Sequence, residues 1–403
     1  MIWKRHVAFL LTSQAISLLG SSIVQSAMIW HITLVTTSGS AIALASVAAF
    51  LPLVIVSPLA GVWADRYNRR VITVAADAAV AVATAGIFVA FVLGHRSLTL
   101  MCVVLAIRSC ATAFQSPAVT SLLPGFVPED HLMRVNGLSG SVQALSNILG
   151  PALGGVALAL MPLHMVFLID IATAIIGITL FWFFVKVPAY GDNRENIGTW
   201  NHEFRVGLRY IRRHDFYSPL LVFFAVSMTA ISAPAFLANL HVAREFGAET
   251  WRLSVVETFY GIGAALGGGL VALWPGLRRE ISTIAYAIAV IGLAFILLAL
   301  APTFVIFTAV MGLLGVVIPY LNAPAITLLQ RTCAPQHLGK LMSIVVMLNG
   351  AFLPLGIAIF SPLADHIPIW AIMVLGGIIE LGVCAGILTH PRLRAVKGPV
   401  SVR

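Results

Sequence analysis

Five ionisable side chains lie inside stretches of sequence that are otherwise apolar. They are Asp77, Arg108, Asp170, Glu257 and Glu380. A charged side chain at the centre of a bilayer costs roughly 2.5–3.5 kcal/mol on insertion scales, so each of these residues is a functional candidate until a partner is found. A fixed cation such as an arginine stabilises the ionised form of a nearby carboxyl and helps it to release a proton. The chemistry that these residues could perform is therefore proton exchange.

Arg108 lies in the segment "LAIRSCATAF" (105–114), about ten residues from one end of its apolar stretch. At 1.5 Å per residue this is roughly 15 Å deep in a helix. Asp170 lies roughly 10 Å deep by the same measure, so the long arginine side chain could bridge to it if the two helices adjoin. Two interpretations of Arg108 are open. It promotes proton release from a carboxyl, with Asp170 and Glu257 as candidates, or it ties helices together through backbone carbonyls.

The apolar stretches identify an integral membrane protein. The chain has 403 residues, of which 60% are hydrophobic and 10% are charged, and its mean hydropathy is +0.99. These values lie outside the range of soluble globular domains. Runs of about 20 apolar residues suit transmembrane helices, whereas barrel strands would alternate over about ten residues. The predicted fold is all-α, with spans at 7–34, 40–63, 71–93, 98–122, 138–161, 164–185, 217–240, 252–274, 281–300, 303–329, 341–363 and 368–389.

Lysine and arginine residues are unevenly distributed between the predicted loops. Twenty of the 24 fall on the side of the termini and three on the other side, with Arg108 in the membrane. The positive-inside rule then places both termini in the cytoplasm, with the protein in the cytoplasmic membrane. This bias accounts for the net charge of +9 without a nucleic-acid partner. The four cysteines form no C-x-x-C pair, so we expect no metal site.

The sequence repeats at half the length of the chain. The segment "SPAVTSLLPGFVPEDHLMR" (116–134) resembles "APAITLLQRTCAPQHLGK" (323–340), and five identical residues recur at an offset of 207. The offset connects the end of the fourth span to that of the tenth and indicates two six-helix halves. The predicted domains are residues 1–186 and 217–403, joined by a cytoplasmic linker at 187–216. Repeated halves are a transporter architecture, with the substrate path between them.

The loop after the second span carries a family motif. The segment "GVWADRYNRR" (61–70) resembles the signature G-x-x-x-D-(R/K)-x-G-R-(R/K) of the major facilitator superfamily, with Asn68 in place of a glycine. The resemblance implies a twelve-helix transporter that needs no cofactor and is not an enzyme. It also implies a cytoplasmic cluster that latches the two halves in one state. The residues assigned to this latch are Gly61, Asp65, Arg66, Arg69 and Asp77.

A second motif lies in the fifth span. The segment "NILGPALGG" (147–155) is similar to the G-P-x-x-G-G motif of antiporters in this superfamily, with Ser146 in the position of a leading glycine. A proline removes one backbone hydrogen bond and bends the helix, and glycines allow close packing. The resemblance implies an antiporter with a hinge at Gly150, Pro151, Gly154 and Gly155.

Further segments resemble the drug-exporting branch of the superfamily, which includes macrolide-efflux proteins. They are "SQAISLLGSS", "MIWHIT", "TSGSA", "AIRSCATAFQSPA" and "FLID". This resemblance implies a monomer in the lipid bilayer that exports amphipathic organic compounds, drug-like or macrolide-like, in exchange for protons by alternating access. The residues expected to line its substrate cavity are Gln14, Gln25, Trp30, Phe114, Gln115, Tyr320 and Asn322.

Other functions remain as alternatives. Within transport, they are a dedicated exporter of one metabolite, such as a siderophore, and an uptake carrier. A polytopic membrane transferase would need acids, histidines and arginines in one interfacial loop. The two candidate segments, "VPEDH" (127–131) and "LADHIP" (363–368), are predicted on opposite sides of the membrane. The sequence contains no G-x-x-x-x-G-K-(S/T), H-E-x-x-H or G-x-S-x-G motif, which argues against ATP hydrolysis by a P-loop and against the common hydrolases.

Overall fold

The structure is a computed structural model. It describes residues 2–125, 127–185, 216–274, 276–277, 279–333 and 335–394. Within these ranges every regular element is a helix, so the predicted all-α fold is confirmed. The predicted linker at 187–216 lies almost wholly outside the described residues.

Twelve long helices make up the described part of the chain. They are α1 (Ile2–Thr36), α2 (Gly39–Arg66), α3 (Arg69–Val92), α4 (Leu98–Leu122), α5 (Glu129–Leu160), α6 (Leu163–Phe184), α7 (Tyr217–Glu245), α8 (Thr250–Leu273), α9 (Glu280–Ala299), α10 (Phe304–Thr332), α11 (Pro335–Leu363) and α12 (Ile369–Thr389). A 3-10 turn at Leu123–Gly125 follows α4, and a short α13 (Pro391–Arg394) follows α12. Among the described helices, eleven are long and apolar enough to cross a membrane, and α11 contains a shorter apolar section at Gly350–Leu363. Each predicted span corresponds to one helix.

Several helices begin where the sequence supplies a capping side chain. The Asn68 side chain accepts a hydrogen bond from the amide of Arg70 at the start of α3. Ser97 caps α4 in the same way through Leu100. Such side chains satisfy amide groups that have no partner within the helix. They fix the starts of the two helices that carry Asp77 and Arg108.

The helices form two compact units. The first contains α1, α2 from Leu44 onward, α3 to α6 and the first turn of α8 through Ser254. The second contains residues 37–43, α7, the rest of α8 and α9 to α13.

The two units share one packing scheme. In the first unit α1 packs against α5 and α6, and α3 packs against α4 and α6. In the second unit α7 packs against α11 and α12, and α9 packs against α10 and α12. Each of these four pairings thus recurs six helices later. This is the arrangement expected of a repeated six-helix plan.

Candidate functional site

Arg108 on α4 and Asp170 on α6 form an ion pair inside the first unit. The arginine is 4% exposed and the aspartate is fully buried. Arg108 Nη1 donates to Asp170 Oδ2, and Arg108 Nη2 donates to the backbone carbonyl of Ser21 on α1 at 3.0 Å. The arginine therefore combines a carboxylate partner with a backbone carbonyl partner, the two kinds of contact that its position in the sequence suggested.

Asp170 has hydrogen-bond donors at both of its carboxylate oxygens. Ser21 Oγ donates to Oδ1 at 2.9 Å, and Thr84 Oγ1 on α3 donates to Oδ2 at 2.6 Å. With Arg108, this carboxylate connects α1, α3, α4 and α6. Breaking such a buried pair by removing one partner typically costs about 3–5 kcal/mol. The complete shell of donors favours a structural tie over a carboxyl that exchanges its proton.

A second polar layer lies on three of the same helices. Asp77 Oδ1 on α3 accepts a hydrogen bond from Ser17 Oγ on α1 at 3.2 Å and another from Gln115 Nε2 on α4. Asp77 precedes Thr84 by seven residues, and Gln115 follows Arg108 by seven. Seven residues are two helical turns, so the two layers are separated by roughly 10 Å along each helix.

The residues assigned to the cytoplasmic latch are only partly described. The surroundings of Gly61 and the side chains of Asp65 and Arg66 are not among the described parts of the structure, so the latch remains a prediction. Arg69 Nη1 donates to the backbone carbonyl of Ser121 at the end of α4, at 2.5 Å. Asp77 was assigned to the same network, but its hydrogen bonds are with Ser17 and Gln115 in the interior of the first unit.

The glycine and proline motif of α5 lies against α1. A Cβ atom added at Gly150 would lie 1.9 Å from Ser22 Oγ, and one added at Gly154 would lie 2.8 Å from a backbone carbonyl of α1. Gly155 likewise has no room for a side chain. Pro151 lies within α5, which continues on both sides of it. The motif therefore sets the close packing of α1 and α5, while its action as a hinge remains a prediction.

The helices of the second unit carry the two carboxyl groups that the sequence placed inside apolar spans, Glu257 and Glu380. Glu257 Oε1 on α8 accepts a hydrogen bond from Asn239 Nδ2 on α7 at 3.2 Å. Glu380 on α12 is fully buried, and its two oxygens lie 3.1 and 2.9 Å from Ser227 Oγ on α7. Among the described residues, neither carboxyl forms an ion pair.

The contact between Ser227 and Glu380 repeats a contact of the first unit. Ser227 follows Ser21 by 206 residues, and Glu380 follows Asp170 by 210. Both pairs join the first and last helices of their half. At the half-chain offset, the positions that correspond to Arg108 are Leu314 and Gly315. Within the described second unit, Glu380 therefore has no arginine in the place that Arg108 takes beside Asp170. Sequence reasoning missed this pair, although applying the repeat to Ser21 would have indicated it.

The residues predicted to line the cavity differ in exposure. Gln14, Trp30 and Gln115 are buried, Gln25, Phe114 and Tyr320 are partly exposed, and Asn322 is exposed. The ring of Phe114 lies 5.4 Å from that of Trp63, and the ring of Tyr320 lies 5.8 Å from that of Trp274. Because Gln115 also bonds to Asp77, one predicted lining residue belongs to the polar layer around that carboxyl.

The two segments considered for transferase chemistry have other contacts. Asp365 of "LADHIP" accepts hydrogen bonds from the first residues of α2. In "VPEDH", the side chains of Glu129 and Asp130 are not among those described, and the ring of His131 stacks on Trp3 at 4.9 Å. Within the described ranges, no group of three His, Cys, Asp or Glu side chains could hold a metal ion.

Comparisons with known proteins agree with this architecture. The model of the Major Facilitator Superfamily matches residues 10–357. The chain is similar to macrolide efflux protein A of Streptococcus pyogenes, with 27% identity over 96% of this chain and 95% of the relative. It is also similar to the multidrug efflux pump Tap of Mycobacterium tuberculosis (strain CDC 1551 / Oshkosh), with 26% identity over 82% and 80% of the two chains.

Solved structures with the same fold include two transporters. The nucleoside transporter NupG matches with a TM-score of 0.71 at 13% identity, over 95% of this chain and all of the other. The human organic anion transporter MFSD10 matches with a TM-score of 0.68 at 14% identity, over 95% and 99% of the two chains. At this level of identity the likeness is one of fold alone.

Proposed function

The chain belongs to the Major Facilitator Superfamily, and we propose that it exports amphipathic organic compounds, macrolides among them, in exchange for protons. It is a multi-pass membrane protein with relatives among bacterial efflux transporters. Members of this superfamily move solutes and are not enzymes, so a membrane transferase is not favoured.

One observation carries the proposal. The similarity to a macrolide efflux protein extends over 96% of the chain and so includes both halves, not one motif. A multidrug efflux pump matches over most of the same length. The substrate class proposed for this chain is therefore bulky and amphipathic. No contact in the described structure favours a dedicated metabolite exporter over it.

Proton coupling and alternating access are the finer parts of the proposal. The absence of a P-loop from the sequence leaves an ion gradient as the source of energy. Of the carboxyls named from the sequence, Asp170 is the less suitable carrier because Arg108 holds it in an ion pair. Glu257, the other carboxyl that the sequence suggested as a carrier, is the candidate in the second unit, since its only described hydrogen-bond partner is the neutral amide of Asn239. The excess of basic residues in the loops on the side of the termini supports cytoplasmic termini.

Accumulation of a compound panel in cells tests the function. Cells that produce the protein should accumulate less of a macrolide and of other amphipathic compounds than cells with an empty vector. A proton uncoupler should abolish the difference. Equal accumulation in both cell types would contradict export, and a difference that survives the uncoupler would contradict proton coupling. Chemical conversion of a compound without net movement would favour the transferase.

A further inference from the structure

We propose that Asp77 is a proton-binding residue of the transport cycle, the carboxyl in the first unit that takes up and releases the exchanged proton. The inference rests on the proposed proton-coupled export. It assigns a new role to a residue that the sequence had placed in the cytoplasmic latch.

Asp77 and Asp170 of the first unit differ in their hydrogen-bond partners. Arg108 keeps its charge and forms an ion pair with Asp170, so the shell around Asp170 favours the carboxylate over the acid. The partners of Asp77 are a serine hydroxyl and a glutamine side-chain amide. Both groups can donate and accept, so they can bond to a carboxylate or to a carboxylic acid. The surroundings of Asp77 therefore suit either protonation state.

The second oxygen of Asp77 gives the proton a place to bind. Both donors, Ser17 and Gln115, bond to Oδ1. Oδ2 accepts no hydrogen bond from the part of the chain that the structure describes. Asp77 is also 7% exposed, whereas Asp170 and Glu380 are fully buried. A carboxyl with one free oxygen and some exposure can exchange a proton more readily than an enclosed one.

The charged groups around Asp77 leave its charge uncompensated. Its neighbours on α1 and α4 are the neutral Ser17 and Gln115, and no described cation lies within ion-pair distance of it. Arg108 on α4 and Asp170 on α6 are two turns away and are paired with each other. Arg69, on its own helix, is eight residues earlier, or roughly 12 Å. Protonation would therefore remove a buried charge without breaking an ion pair.

The step is a simple proton transfer. Asp77 carboxylate binds one proton from water on the side of higher proton activity, which forms an O–H bond and neutralises the charge. It releases the same proton to water on the other side when the substrate has moved in the opposite direction. With the proton on Oδ2, Oδ1 remains an acceptor, so Ser17 and Gln115 can keep their hydrogen bonds to it in both states.

Transport in proteoliposomes tests the proposal, with labelled erythromycin as the probe. Two activities are compared, namely accumulation driven by a pH gradient and exchange of labelled for unlabelled probe at equal pH. Asp77→Asn should lose gradient-driven accumulation to the level of protein-free liposomes. It should keep exchange, and this exchange should no longer depend on pH. Because exchange needs a folded protein, its retention excludes misfolding as the cause.

Matched variants complete the experiment. Glu380→Gln neutralises a buried carboxyl in the second unit and should keep both activities. Asp77→Glu should recover part of the gradient-driven accumulation. An Asp77→Asn variant that accumulates probe like the parent protein would overturn the proposal, as would one that loses accumulation and exchange together. Parent protein that exchanges but never accumulates would instead refute the proposed proton coupling.

A second measurement needs no substrate. Hydrophobic carbodiimides modify protonated carboxyls, and the modified residues can be identified by mass spectrometry of the parent protein. Asp77 should be modified, and the extent should fall as the pH rises, whereas Asp170 should stay unmodified throughout. Modification of Asp170 without Asp77 would overturn the assignment even if the transported compounds were of another class.

Discussion

Asp365, in the turn after α11, accepts a hydrogen bond at 2.7 Å from the backbone amide of Gly39, the first residue of α2. Its other oxygen accepts the amide of Ser40 at 2.9 Å and the hydroxyl of Ser40 at 2.6 Å. The first amides of a helix have no acceptor within the helix and favour a negative charge. A residue 326 positions away in sequence thus caps α2 within the second unit.

Arg244, in the last turn of α7, contacts the same region. Its Nη2 lies 3.2 Å from Asp365 Oδ1 and 2.6 Å from the backbone carbonyl of Thr37. Thr37 has a φ of +46°, which is unusual for a β-branched residue. Such a conformation persists only where surrounding contacts hold it. The short connection between α1 and α2 is therefore fixed by α7 and by the turn after α11.

Gly39 should tolerate no side chain. A Cβ atom at this position would lie 1.9 Å from the backbone carbonyl of Ser361 and 3.0 Å from Ala364 Cβ. We expect Gly39→Ala to destabilise the protein by about 1–3 kcal/mol, the usual range for overpacking. Thermal unfolding in detergent measures the loss, and hydrogen exchange at residues 39 and 40 should rise. Gly86→Ala is the control, because nothing lies within 4 Å of its added Cβ atom.

Asp365 should make stability depend on pH in the acid range. Partial burial acts to raise its pKa. The hydrogen bonds from Ser40, Gly39 and Ser38 outweigh this effect and hold the pKa of Asp365 well below its ordinary value of 3.8. A lowered folded-state pKa stabilises the protein above the unfolded-state value, and this stabilisation is lost as the pH falls toward the folded-state pKa.

Thermal unfolding of the parent protein and Asp365→Asn at a series of pH values tests this expectation. The parent should be the more stable of the two at pH 7 and pH 5, and the difference should shrink below about pH 4. Arg244 stays charged throughout this range and so cannot cause the change, and His366, the next residue in the chain, can be replaced by Gln as a control. A difference that is constant between pH 7 and pH 3 would contradict the capping role.

The number and type of the helices could be predicted from the sequence, because twelve apolar runs of membrane-spanning length fix them. Because a helix rises by a constant amount per residue, the sequence also predicts similar depths for Arg108 and Asp170. Their contact did not follow, because depth says nothing about which helices adjoin. Helices that are apolar on all sides carry little information about which face meets a neighbour.

The same limit explains why the hydrogen-bond partners of Asp77 could not be predicted from the sequence. Its position near the cytoplasmic motif in sequence suggested a latch, but its direction is set by the rotation of α3 against α1 and α4. Ser17 lies 60 residues before Asp77 and Gln115 lies 38 residues after it. The capping of α2 by Asp365 could not be predicted from the sequence either, because no local pattern connects "LADHIP" with the start of α2.

The packing of α5 against α1 should depend on Gly150. A leucine there would collide with Ser22, whose Oγ lies 1.9 Å from the position of an added Cβ atom. We expect Gly150→Leu to reduce transport strongly and to lower the thermal stability, and Gly137→Leu, on the same helix in open space, to be tolerated.

Gly154→Leu should block the motion of the two halves if the motif acts as a hinge. Normal exchange of labelled compound by a folded Gly154→Leu variant would contradict the predicted role of the motif as a hinge.

The pair of Arg108 and Asp170 supports the last prediction. Arg108→Ala should leave Asp170 buried beside two hydroxyls without its cation, and we expect a loss of about 3–5 kcal/mol in stability. Arg108→Lys should keep part of the stability, because the charge remains but the planar fork that reaches Ser21 and Asp170 together is lost. The double variant Arg108→Met with Asp170→Leu removes both charges and should be more stable than Arg108→Ala. Thermal unfolding in detergent of the parent, the single variants Arg108→Met and Asp170→Leu and the double variant gives the coupling energy of the pair. If Arg108→Ala were as stable as the parent but could no longer pump against a gradient, Arg108 would act on the proton and not as a tie between helices.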